Sequence, residues 1–427
     1  MTPEAVGAKL GALREAGAEL RRRPVHETRA ALARVVESWR DPESPWRRAL
    51  ASELPDATGF SPAVVREGAQ RGFGTWSAEA WRALVAHAIG GAQAAGSAAA
   101  PLVSGFETTA VVLAGQVPMP TVLALLLPLA LRSPVLAKPA SLDPVTARLA
   151  ARSLAETDVD LGRCVEVAAF DGDDEACTRA LLEADCVVAT GSDAAVAAIA
   201  ARVAPPRRLV SYGHRLSLAA LAGAATRDMA LARAAEGLAL DVALWDQLGC
   251  LSPIAVYVAD PEPGASDRVA EALARSLAAA EERLPRGRVT PAASAAIAQA
   301  RAEVEMRAAA GRHVVLHASK TTAWTVVREE TQLPRPAPLH RFLRVHPVRD
   351  VGGLIEALRP LGPHLAAVAL DGFGADEPAL ARALADLGAS RLCRPGAMQC
   401  PPLAWHHDGR GPLTPLARFT DLEAPLA

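Results

Sequence analysis

The stretch "TAVVLAGQVPMPTVLALLLPLALRSPVLAKPAS", residues 109–141, decides the fold. Its apolar length rivals the roughly 20 residues of a membrane helix, yet Pro118, Pro120 and Pro128 interrupt it and Gly115 and Gln116 sit inside. Each proline removes an amide that a continuous helix needs. The stretch therefore divides. "TAVVLAG" reads as a buried strand, Met119 to Leu131 as a core helix and "PVLAKPA" as a second strand, with no membrane span expected.

The same texture continues downstream. A helix is expected from Pro144, then a strand at "CVEVAAF", a helix from Asp173, a strand at "CVVATG", a helix from Asp193 and a strand at "RRLVSYG". Short apolar runs alternating with helical segments are the signature of a parallel sheet covered on both faces. After "LSLAAL" and a helix near 226–240, a second series follows. It holds "PIAVYVA", Ala-rich helices at about 266–284 and 291–309, "HVVLHAS", "TAWTVV", "RFLRVHPV", a helix from Gly352 and "LAAVALDG". That suffices for a second α/β domain. Residues 1–100 differ, being rich in Ala, Arg and Glu with apolar positions at helical spacing, as in "ETRAALARVVESW".

With 427 residues, 51% hydrophobic and 22% charged, the chain has a soluble globular composition and the length of two or three domains. Its net charge of −2 gives no basic footprint for nucleic acid or an anionic membrane. The N-terminus "MTPEAVGAKLGALREAGAELRRR" has no apolar signal core. Cysteines 164, 177, 186, 250, 393 and 400 are scattered without a framework, which suits reduced thiols and a cytoplasmic location.

No G-x-G-x-x-G, Walker A or G-x-S-x-G motif is present. Two other features suit a nucleotide. "CVVATGSD" ends a strand at Thr190–Gly191–Ser192 and opens a helix, either to face a pyrophosphate or as an ordinary Ser/Asp cap. Lys138, in a chain whose other lysines are Lys9 and Lys320, stands at the end of a strand, where open α/β sheets bind ligands. Cys250, in "ALWDQLGCLSPIAVYV" (243–258), reads as a nucleophile or as a small buried hydrophobe. Cys393, Cys400, His406, His407 and Asp408 have spacings that fit no zinc pattern, so no metal is expected.

Taken in order, "AGQVPMPTVLALLLPLALRSPVLAKPAS", "VVATGS", "VSYGHRLS" and "DQLGC" resemble the aldehyde dehydrogenase superfamily. With the C-terminal "RLCRPGAMQCPPLAWHHDGRGPLTPLARFTDLE", the chain resembles its LuxC acyl-CoA reductase branch from about residue 100 onward. The resemblance implies an aldehyde dehydrogenase-like fold of two α/β domains. A helical region (1–100) would pack on a Rossmann-like NADP(H) domain (101–225), followed by a catalytic thiol domain (226–390) and a C-terminal return and oligomerisation segment (391–427).

It also implies roles. Cys250 becomes the acyl-accepting thiol. Gln116 stands where the superfamily usually has an asparagine whose amide, with the cysteine backbone N–H, holds the oxyanion; glutamine adds a methylene. Lys138 would bind the adenosine ribose, and Gly191 and Ser192, beside Thr190, the pyrophosphate. His214 would protonate the departing thiol or simply hold the Tyr212–Ser217 turn. Hydrolytic members carry a glutamate near the position of Ser211, whereas no carboxylate lies between Arg208 and Thr226, so hydrolysis of an acyl-enzyme should be slow. NAD-preferring members carry a glutamate three residues after the lysine; Ser141 stands there, which favours NADPH. Glu329 and Glu330 lack the superfamily's following Gly-Pro turn and are left out of the site.

The expected function is NADPH-dependent reduction of an acyl-CoA or acyl-carrier-protein thioester to an aldehyde. A homo-oligomer is implied, with an acyl-transferring or aldehyde-consuming enzyme as a possible partner. The rivals are a hydrolytic NAD(P)-linked aldehyde dehydrogenase and, favoured by Gln116, a non-catalytic scaffold that binds acyl thioesters.

Overall fold

In the computed structural model, which describes residues 1–90 and 101–421, the opening stretch divides at residues 113–117 and 131–134, while Pro118 and Pro120 open the helix between and Pro128 is accommodated in its last turn. Pro118–Ala130 is a helix of 13 residues set between two short strands. Among the described residues, no helix is long and apolar enough to cross a membrane.

The chain sorts into two units. The first comprises Met1–Thr58, Gly72–His214 and the tail from Pro402. It holds β1 (Leu102–Ser104), β2 (Thr109–Val112), β3 (Val135–Lys138), β4 (Val165–Val167), β5 (Cys186–Thr190) and β6 (Arg208–Tyr212). A parallel sheet runs in the order β4-β3-β2-β5-β6. Successive strand residues point to opposite faces, and here both sets are buried. Ala110, Leu136 and Val187 meet Val6, Leu10 and Leu13 of the helix Pro3–Arg22, while Val111, Ala137 and Val188 are buried one residue out of step. That is why these strands read as near-continuous apolar runs. Helix Val25–Arg40 is tied to helix Pro144–Thr157 by Trp39 Nε1 donating to Ser153 Oγ at 3.0 Å, both buried.

The second unit comprises Gly59–Arg71 and Arg215–Pro401. Its strands are β7 (Leu216–Ala222), β8 (Pro253–Ala259), β9 (Val315–Ala318), β10 (Thr325–Arg328), β11 (Phe342–Val348), β12 (Leu365–Asp371) and β13 (Arg391–Cys393), in the sheet order β13-β12-β7-β8-β11-β10-β9. All pairings are parallel except β9 with β10. The connection over residues 319–324 is too short for a crossover, so β9 turns back on its neighbour. Leu218, Tyr257, Val368, Leu354 and Leu384 lie in its core. Helix Pro291–Ala309, mostly exposed, buries Ile297 and Val304 against Val327 and Phe342. The last strand, β14 (Arg418–Thr420), belongs to the first unit and pairs antiparallel with β1.

Candidate active site

In the first unit the strand order reverses at β2: β3 lies on one side and β5 on the other. Ligands of open parallel sheets bind outside the carboxyl ends of the strands at such a point. The residues that end these strands are the ones singled out in the sequence. After β2 comes Gly115, at φ +82°, a left-handed conformation that favours glycine. Gln116 follows, its Nε2 donating to the Thr58 carbonyl at 3.1 Å. An amide nitrogen has two hydrogens, so one remains for another acceptor.

At the end of β3, Lys138 is buried with its ammonium 5.1 Å from the Phe170 ring centre. Burial holds its pKa below the usual lysine range, and the Asp171 carboxylate works against that shift. Ser141 is exposed in a turn closed by Asp143 N–H donating to Ala140 O at 3.1 Å. At the end of β5, Ser192 is both cap and candidate ligand. Its Oγ accepts from Ala195 N at 3.2 Å at the start of helix Asp193–Ala200, and its hydroxyl hydrogen remains able to donate. A Cβ on Gly191 would stand 3.5 Å from the Ala195 Cβ and 4.0 Å from the Ala114 Cβ, between the loops that follow β2 and β5. Gly191 and Ser192 thus stand at a helix N-terminus, whose free amides are the kind of group that binds a phosphate.

Asp193 was not singled out in the sequence. Its Oδ1 accepts from the His214 backbone N–H at 2.7 Å, and a Cβ on Gly213 would lie only 2.4 Å from that oxygen. The motif "SYGHRLS" has no carboxylate of its own, but the fold brings one to it. The C-terminal tail also reaches this strand end. The His407 ring stacks on Tyr212 (4.7 Å between centres, 7° between planes), and Arg410 lies 4.8 Å over the Tyr212 ring. Arg410 Nη2 donates to Ser211 O at 2.6 Å.

The second unit holds the thiol. Of the six cysteines, Cys250 is exposed; Cys164, Cys177 and Cys186 are buried, and Cys393 and Cys400 are half-buried. Burial pushes the thiols of Cys164 and Cys186 up to about 12, Cys393 to about 11, and raises Cys400. Such groups are poor nucleophiles near neutrality, since the thiolate is the reactive form.

The loop carrying Cys250 runs from a turn at Leu244–Gln247 to β8. Ser217 Oγ donates to Cys250 O at 2.7 Å and accepts from Ala367 N at 3.2 Å. Gln247, buried, donates to Pro253 O at 2.9 Å and Phe342 O at 3.0 Å and accepts from Phe342 N at 2.8 Å. On the far side of the thiol, Gln399 Nε2 donates to Ser252 Oγ at 3.0 Å and Asp241 O at 3.1 Å. The Asp241 carboxylate accepts from Gly396 N at 2.6 Å and Met398 N at 3.0 Å, while burial pushes its pKa up to about 7. Trp245, Asp246 and Gln247 all have left-handed φ (55°, 48° and 66°). Non-glycine residues there cost about 1–3 kcal/mol each and persist only where the surroundings enforce them.

Glu329 and Glu330 are bound elsewhere. Glu329, buried, pairs with Arg344 and with Arg307 at 2.7 Å, and Glu330 pairs with Arg312 at 2.8 Å. Among the described residues, no group of three or more His, Cys, Asp or Glu could hold a metal ion.

Two α/β units of this kind define an aldehyde dehydrogenase fold. An NAD-dependent benzaldehyde dehydrogenase from Corynebacterium glutamicum superposes with a TM-score of 0.73 at 15% identity, covering 99% of this chain and 91% of its own. A proline utilization A protein from Bradyrhizobium japonicum gives 0.73 at 18% identity, covering 99% of this chain and 45% of its own. Within that fold the chain belongs to the acyl-CoA reductase (LuxC) family, which matches residues 20–419. A long-chain acyl-protein thioester reductase from Aliivibrio fischeri is 27% identical over 320 residues, 74% of this chain. The match spans 63% of that relative's length, so the chain accounts for less than two thirds of it.

Proposed function

We propose that the protein reduces an acyl thioester, carried by coenzyme A or a carrier-protein arm, to the aldehyde through a covalent thioester at Cys250. The observation that carries this reading is the contrast among the thiols. Cys250 is exposed on a loop held from both sides, while burial raises the pKa values of Cys164, Cys186, Cys393 and Cys400. Family membership and the name of the A. fischeri relative support the substrate class.

The Cys250 thiolate attacks the thioester carbonyl and the carrier thiol leaves. Backbone and side-chain amides stabilise the oxyanion, each donor in such sites being worth about 3–4 kcal/mol. Gln116 is the side-chain donor that the resemblance suggests, with one N–H already committed to Thr58. His214, exposed at the end of β6, is suited to protonate the departing thiol. Lys138, Thr190, Gly191 and Ser192 would hold a dinucleotide, and Ser141 leaves room for a 2′-phosphate, favouring NADPH. A nicotinamide held there would supply hydride to the acyl carbon, and the hemithioacetal so formed on Cys250 would release the aldehyde as the C–S bond breaks and the thiolate returns. Asp193 accepts from the His214 amide and so holds this turn.

The test is intact mass after incubation with acyl-CoAs of several lengths and no reductant. An acyl adduct is expected on the wild type, on Cys393→Ala and on Cys400→Ala, and none on Cys250→Ala. An adduct surviving in Cys250→Ala would overturn the mechanism.

A further inference from the structure

Arg341 lies 95 positions from Asp246 in sequence and against it in the fold. Its own backbone is unusual, since Leu339, His340 and Arg341 have φ of 63°, 55° and 68°. Two runs of three left-handed, non-glycine residues thus meet in one place. Arg341 Nε and Nη2 both donate to Asp246 Oδ1, at 3.0 and 2.6 Å. Nη2 also donates to Ala243 O at 3.1 Å, and Nη1 to Leu284 O at 2.8 Å and Glu281 Oε2 at 2.7 Å. All five guanidinium hydrogens thereby find acceptors. The other Asp246 oxygen accepts from Gly287 N at 3.0 Å. Arg341 is 1% exposed and Asp246 3%.

A buried ion pair adds little net stability over well-packed apolar residues, and its best-attested use is to fix one conformation. Here that conformation is the turn which ends three residues before Cys250. Carbonyls on each side of the turn are gripped, Ala243 by Arg341 and Pro253 by Gln247, leaving residues 248–252 as a short arc with the thiol at its centre.

We propose that Arg341 is a positioning residue for the thiol chemistry: by gripping Asp246 it holds the left-handed Trp245–Gln247 turn that sets the Cys250 thiol. The inference rests on Cys250 being the acyl acceptor. The planar fork is essential, because its two ends hold different partners, Nη2 binding Asp246 and Ala243 and Nη1 binding Glu281 and Leu284, whereas a lysine ammonium is one nitrogen that cannot occupy both places.

The test compares wild type with Arg341→Lys, which loses the fork, and Asp246→Asn, which keeps the shape and loses the charge. Asp246→Asn is the variant to read if Arg341→Lys does not accumulate. Iodoacetamide alkylation of Cys250, followed by peptide mass across neutral and mildly alkaline pH, reads thiol placement without substrate. Alkylation and kcat with acyl-CoA should both fall by roughly 10- to 100-fold, the scale of a small misplacement of a reacting group. KM should stay within about threefold, and circular dichroism should be unchanged. Lower melting temperature with wild-type alkylation profile and kcat would overturn the proposal, leaving the pair as core support. Failure of the Cys250 reading shows separately, as an acyl adduct on Cys250→Ala, and leaves the alkylation result intact.

Discussion

Single residues divide by whether their meaning travels along the chain or through space. The positions of Lys138 and Cys250 were legible, because each stands beside an apolar strand that periodicity reveals. Asp193 and Arg341 were not. Their partners lie 21 and 95 positions away, and nothing in a single sequence signals such a pairing. Ser141 is intermediate, read by position after Lys138 and found exposed in its turn. Asp171, from the loop after β4, already acts on the Lys138 ammonium, so the pocket is not free of carboxylates. Ser141→Glu adds a second. NADPH binding should weaken by about tenfold from repulsion of the 2′-phosphate, and NADH should gain by comparison. Titrating both cofactors against wild type and variant measures this, and wild type that binds NADH as tightly as NADPH would refute the reading of Ser141.

At the level of elements, the long strands and their crossover helices follow from apolar runs that stay buried on both faces. Strands β1, β13 and β14 are short and none of their residues is buried, so no apolar run marks them. The equally short β4, by contrast, lies in the apolar stretch "CVEVAAF". The left-handed turn at Trp245–Gln247 was equally invisible, since it contains no glycine to mark it. A different glycine shows how tightly the thiol-bearing unit is assembled. Gly237 lies within helix Asp228–Ala243, where alanine would ordinarily gain about 0.5–1 kcal/mol. A Cβ there would come 2.7 Å from the Pro395 carbonyl carbon and 2.8 Å from Gly396 N, on the segment that Asp241 binds. Gly237→Ala should therefore destabilise, by about 1–3 kcal/mol as overpacking does. Urea unfolding reads the sign, and a more stable variant would show that this approach is loose.

For the molecule as a whole, the proposed mechanism turns on which nucleophile would relieve the acyl-enzyme. The residues proposed for the dinucleotide fall in one unit and Cys250 in the other, and a fold by itself does not choose between thioester reduction and aldehyde hydrolysis. The choice rests on a general base for water. Ser211 occupies the strand position near which a glutamate would serve, with its carbonyl bound by Arg410, and Asp193 beside it is committed to the His214 amide. A missing base typically costs about 10²–10⁴-fold. In the reverse direction, aldehyde with NADP⁺ should therefore turn over steadily only when coenzyme A is present to accept the acyl group. Without it, NADPH formation should fall to a small residual rate after about one equivalent. His214→Ala should remove that residue if the imidazole is the substitute base, and Asp193→Asn should remove it if the carboxylate is. The measurement is NADPH absorbance from a long-chain aldehyde with and without coenzyme A, with the product identified as thioester or acid. Equal rates yielding free acid in both would make the enzyme a hydrolytic aldehyde dehydrogenase, with water entering by a route that Ser211 and Asp193 do not reveal.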